Sequence, residues 1–91
     1  MTASDIAGAT SVGNYAFSTV NLTGNVSLAL TTIGQYAFVD TNITGLDLST
    51  STFTTLPAGI VSGCSSLTSI SLPSTITGNL DSYTFQGCSS L

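Results

Sequence analysis

The sequence predicts a leucine-rich-repeat-sized β-solenoid: a single curved parallel sheet of about four coils of 21–24 residues, joined by mostly irregular or short 3-10 or helical return segments. Two series of landmarks carry this. Residue pairs five apart recur at Val12/Phe17, Ile33/Phe38, Leu56/Val61 and Leu80/Phe85, so their first members step by 21, 23 and 24. Independently, Leu22, Ile43, Leu67 and Leu91 step by 21, 24 and 24. A third observation is what lies between them: Ser and Thr fill 31 positions, yet aliphatic residues interrupt them too regularly for a disordered linker.

Each coil opens on a turn phrase. "SVGNYAF" at Ser11–Phe17 returns as "TIGQYAF" at Thr32–Phe38. Val12 and Phe17 are expected in the interior, Gly13 permits the turn, and Tyr15 closes the wet edge of the core. A short alternating run follows the second landmark: "LTGNVSL" at Leu22–Leu28, "ITGLDL" at Ile43–Leu48 and "LTSISL" at Leu67–Leu72. Alternation is the period of a half-buried strand, so Val26 and Leu28, Leu46 and Leu48, and Ile70 and Leu72 should face inward, with one strand per coil. The first run has one residue more than the second, which predicts a bulge or shifted loop. A coil this short cannot hold two packed helices. Nor does burying its few large side chains offset the entropy of ordering it, so coils must stack and share one interior.

Residues 1–91 read as one repeat domain with coil landmarks at Val12, Ile33, Leu56 and Leu80. Both ends look uncapped, and Met1–Thr10 fits the strand template only at Ile6. The ends are also in phase. In-chain steps from strand start to next landmark are 11 (Leu22 to Ile33), 13 (Ile43 to Leu56) and 13 (Leu67 to Leu80), and Leu91 followed by another copy would reach Val12 at 12.

Charge removes whole classes of function. The chain has no Lys, Arg or His, and its four charged residues are Asp5, Asp40, Asp47 and Asp81. Nucleic acid needs cations to neutralise phosphate, and an anionic membrane surface needs a basic segment. General acid-base chemistry is left with Asp, Tyr and Cys, so the chain is expected not to be an enzyme. No apolar run approaches the length of a membrane span, so no membrane insertion is expected. "MTASDIAGAT" has neither the basic start nor the apolar stretch of a secretory signal, so an extracellular chain would carry its signal elsewhere or have lost it.

"IGQYAF" at Ile33–Phe38, "SGCSSLTSISLPSTI" at Ser62–Ile76 and "YTFQGCSSL" at Tyr83–Leu91 resemble the BspA-like leucine-rich repeat of surface proteins. That family's phrase is an Ile-Gly-x-Tyr-Ala-Phe turn, a Gly-Cys-x-x-Leu step and a strand ending in Leu-Pro. The resemblance spans Ser11 to Leu91 and implies a curved parallel-sheet solenoid in an extracellular or cell-surface setting, mediating adhesion or protein binding without catalysis. Departures stand beside it. "STVNL" and "VDTNI" replace the Gly-Cys step in the first two coils, "LPAGIV" replaces the Tyr-Ala-Phe core of the third, and Ser and Thr replace the family's charged outer positions.

Outward strand positions form the concave face: Asn25, Ser27, Gly45, Asp47, Ser69 and Ser71. It lacks the Trp, Tyr and Arg in which tight interfaces concentrate energy, so it suits weak or multivalent contact, or binds nothing. Asn21, Asn25 and Asn42 head N-glycosylation sequons, while Asn21 and Asn42 also suit a stacked amide ladder. Cys64 and Cys88 occupy equivalent sites in "GCSS", which allows either a ladder of buried thiols or a disulfide between coils. Tyr15, Tyr36 and Tyr83 share a register, as core-edge packing or as an aromatic strip. The scattered Asp residues lack calcium-loop spacing, and no metal or cofactor is expected.

Two functions fit this reading. One is a non-enzymatic extracellular or cell-surface module whose partner is a protein or glycan. The other is a structural subunit of an extracellular filament, stacking head to tail with copies of itself, helped by a nearly uncharged surface.

Overall fold

A computed structural model describes residues 2–18, 20–77 and 84–91. Leu80, Asp81 and Tyr83, which the sequence reading used, lie outside the described residues. In chain order come a one-turn 3-10 helix at Ala3–Ile6, then β1 (Ser11–Val12), β2 (Thr23–Ser27), β3 (Thr32–Ile33), β4 (Asn42–Asp47) and β5 (Ser69–Ser71). Every strand pairing is parallel, as expected.

These strands form two sheets that do not close, ordered β1-β3 and β2-β4-β5, which corrects the expectation of a single sheet with one strand per coil. The additional sheet starts the turn phrase. Val12 pairs with Ile33 and Ser11 with Thr32, whose hydroxyl oxygens lie 2.6 Å apart. β-Branched Val, Ile and Thr favour extended backbone, so even two residues register across the repeat. The return segments are turns; among the described residues the only helical element is the 3-10 turn.

Within the three-stranded sheet, alternation sets the faces. Val26, Leu28, Leu46 and Leu48 are buried as expected, whereas Ile70 and Leu72 are half-buried because β5 is an edge strand. The register shifts between Gly24 and Asn25 opposite Ile43 and Gly45, where an irregularity was expected, but it is Thr44 of the second run that is passed over. Gly24 accommodates the shift with a φ of +94°.

The turn phrases stack through backbone hydrogen bonds. Tyr15 N–H donates to Gln35 O at 3.0 Å, Phe17 N–H to Ala37 O at 2.9 Å, Tyr36 N–H to Ala58 O at 3.0 Å and Phe38 N–H to Ile60 O at 2.8 Å. Left-handed residues recur in these turns: Tyr15, Tyr36 and Asp40 at φ of 56°, 54° and 59°, and Gly59 and Gly63 at 65° and 77°. Side chains stack likewise. The rings of Phe17 and Phe38 lie 5.2 Å apart with planes 17° from parallel, and those of Tyr15 and Tyr36 lie 5.2 Å apart at 9°. Fully burying Phe38 contributes roughly 2–3 kcal/mol, whereas Phe17, expected in the interior, is half-buried against the core.

The outer edge of β2, expected to be open, carries the segment before it. Thr2 forms a parallel bridge to Thr23, and Thr2 N–H donates to Asp5 Oδ2 at 2.7 Å, holding the 3-10 turn against that strand.

Candidate functional site

Strand pairing brings the candidate face residues together in two rows. Ser27, Asp47 and Ser71 are register partners across β2, β4 and β5, and Asn25, Gly45 and Ser69 form the row beside them. All but Gly45 are exposed. Together they line an open hollow of about 330 Å³, with Val26 and Leu46 completing its lining. Gly45 is buried because its neighbours lean over it: a Cβ there would lie 2.7 Å from Asn25 Oδ1 and 3.2 Å from Ser69 Oγ.

Asp47 is the one ionisable group in this lining. Its Oδ1 accepts from Ser49 Oγ at 2.6 Å and from Ser49 N–H at 2.9 Å. Those two bonds, the hydroxyl's first, hold the carboxyl below its ordinary value, so it is charged at neutral pH.

Asn21 and Asn42 stack as an amide pair, Asn42 Nδ2 donating to Asn21 Oδ1 at 3.2 Å. Asn25 instead accepts from Thr44 Oγ1 at 3.0 Å. All three side chains are exposed.

Cys64 and Cys88 are free thiols in this structure. Cys64 Sγ–H donates to Phe38 O at 3.0 Å and Cys88 Sγ–H to Val61 O at 3.2 Å, each reaching one repeat back. Thr41 takes the same place one repeat earlier, its Oγ1 3.3 Å from Cys64 Sγ. Burial pushes both thiols up, and a chain without Lys, Arg or His has no cation to draw them down. As nucleophiles they are poorly prepared.

Sequence reasoning missed the buried hydroxyls. Ser51 Oγ accepts from Leu30 N–H at 2.9 Å and donates to Leu28 O at 3.2 Å, so one side chain bridges two backbone groups of the previous repeat. It sits in a uniform Ser/Thr run and carries no sequence signal. Thr84 is different: it stands where the turn phrase has Ala16 and Ala37, and its buried hydroxyl has no hydrogen-bond partner among the described residues. A second hollow of about 370 Å³ is lined by Thr31, Thr32, Ile33, Thr52, Phe53, Thr54 and Thr55. Among the described residues no three His, Cys, Asp or Glu gather, and no helix is long and apolar enough to cross a membrane.

Parallel strands pairing from repeat to repeat, with Tyr15 stacked on Tyr36 and Phe17 on Phe38, define a repeat protein. A family model described as the BspA type leucine rich repeat region (6 copies) matches residues 3–91, and the chain belongs to that family. Repeats of this family are typically surface-associated and generally serve protein interaction without catalysis. No curated protein and no solved structure matches the chain.

Proposed function

We propose that this chain is an open solenoid module acting outside the cell or at its surface, where it mediates adhesion by holding proteins against the face of β2-β4-β5. One observation carries the reading: the outward residues of three strands fall into two register rows and line one open hollow. Family membership supports the setting and the absence of catalysis. Short polar side chains on a flat sheet suit contacts that are individually weak and gain strength by repetition.

The test is binding of fluorescently labelled chain to intact cells by flow cytometry. Ser27→Tyr and Ser71→Tyr fill the hollow and should abolish binding, while Thr54→Tyr, at the second hollow, should leave it intact. Equal binding by all three variants overturns the reading.

Self-assembly is the second reading, favoured by β5 being paired on one side only among the described residues. Thr2 lying across the outer edge of β2 weighs against it. Light scattering decides: discrete monomers at micromolar concentration overturn the filament, and long particles of constant width support it.

A further inference from the structure

We infer that the hollow on β2-β4-β5 receives a lysine or arginine side chain of a protein partner, with Asp47 as its counter-ion. The inference rests on the reading of this face as a binding surface and names what that surface takes.

Geometry gives the first argument. Asp47 stands on the central strand with Ser27 and Ser71 as its register partners. In the adjacent row the central position is Gly45, buried beneath Asn25 and Ser69, and those two side chains border the open hollow that Asp47 also lines. Asn25 Oδ1 and Ser69 Oγ converge over that glycine, at 2.7 and 3.2 Å from where a Cβ would be. The hollow is therefore bordered by a carboxylate, by the Asn25 amide oxygen, which already accepts from Thr44 Oγ1, and by hydroxyls. Ammonium and guanidinium groups carry donors and no acceptor, which matches such a border.

Charge gives the second. With no Lys, Arg or His in the chain, no side chain of its own can neutralise Asp47. Both bonds from Ser49 fall on Oδ1, which fixes the carboxylate and leaves Oδ2 to a partner. Other occupants fit less well. The lining contains no aromatic ring on which a sugar could stack, and one carboxylate is few for calcium, whose sites draw on six to eight oxygen ligands.

The experiment titrates isotope-labelled chain with Nα-acetyl-arginine amide and with its neutral analogue Nα-acetyl-citrulline amide, following backbone amide resonances. Expected are saturable shifts at Asn25, Gly45, Asp47 and Ser69 with the arginine probe and none with the citrulline probe. Asp47→Asn keeps the Oδ1 acceptor for Ser49 and removes only the charge; dispersed resonances show that it folds. Its affinity for the arginine probe should fall about three- to five-fold, as for an exposed ion pair. Equal response to citrulline, unchanged affinity in Asp47→Asn, or shifts centred on Asp5 or Asp40 overturn the inference. The cell-binding assay separates this from the parent reading. If Ser71→Tyr abolishes binding and Asp47→Asn does not, the cationic partner is rejected and the binding face stands; if neither variant matters, both fail.

Discussion

The ring of Tyr36 sits where a side chain on Gly59 would have to go: a Cβ there would overlap Cδ1 and Cε1 of the ring. Tyr15, Tyr36 and Gly59 share the left-handed conformation at φ of 56°, 54° and 65°, and the stacked tyrosines end on the glycine's backbone. Gly59→Ala should therefore cost about 2–3 kcal/mol, from left-handed strain plus displacement of the ring. Gly8 has open space around it, and Gly8→Ala should change stability by no more than about 0.5 kcal/mol. Urea midpoints of the two variants check this; equal midpoints would remove Tyr36 as the reason for the glycine.

Ser51 replaces main-chain pairing with a side chain. In Ser51→Ala the buried N–H of Leu30 and the C=O of Leu28 lose their hydroxyl partner, which should destabilise by about 2 kcal/mol. Amide hydrogen exchange at Leu30 should accelerate by more than at Phe38, whose bond to Ile60 O is untouched.

Thr84 should behave in the opposite sense. Its hydroxyl is buried without a partner among the described residues, so Thr84→Val removes an unsatisfied group at nearly constant shape and should stabilise by about 1 kcal/mol. The readout is a raised urea midpoint at unchanged slope. A lowered midpoint would mean that the hydroxyl is satisfied in solution.

The thiols set the alkaline limit. Burial holds Cys64 and Cys88 above the ordinary thiol value, so they stay protonated in the folded chain where the unfolded chain, titrating at about 8.5, releases its protons. The unfolded state then binds fewer protons, so stability falls as pH rises above about 8.5 and is independent of the thiols below it. Urea midpoints from pH 7 to pH 10 should show this fall, and Cys64→Ala should flatten it. In native chain Cys88, half-buried, should react with iodoacetamide ahead of the fully buried Cys64.

Residues that recur at a fixed interval were legible before any coordinates. Val12 and Ile33, Tyr15 and Tyr36, and Phe17 and Phe38 are each 21 apart, and each pair meets across one repeat. The outward strand positions could be listed for the same reason, since alternation alone assigns faces. What could not be read was how neighbouring repeats adjust to one another. The β1-β3 pairing involves two residues per strand, too short a run to show a period. The segment Thr2–Ile6 fits the strand template poorly, yet the family match begins at residue 3 and Thr2 bridges Thr23 at the same 21-residue spacing.

The sequence by itself determined the repeat, the inward and outward residues of its strands, and the absence of any cationic side chain. Composition and period are properties of the chain, and both survive without coordinates. Only the tertiary structure decided that there are two sheets, that Thr44 is skipped, and that Asn25 and Ser69 close over Gly45 beside Asp47. The physical reason is that each of these is set by lateral register between repeats. Register is fixed by which backbone groups and side chains meet across about 4.8 Å of stacking, and identical Ser/Thr runs leave several registers open until packing selects one.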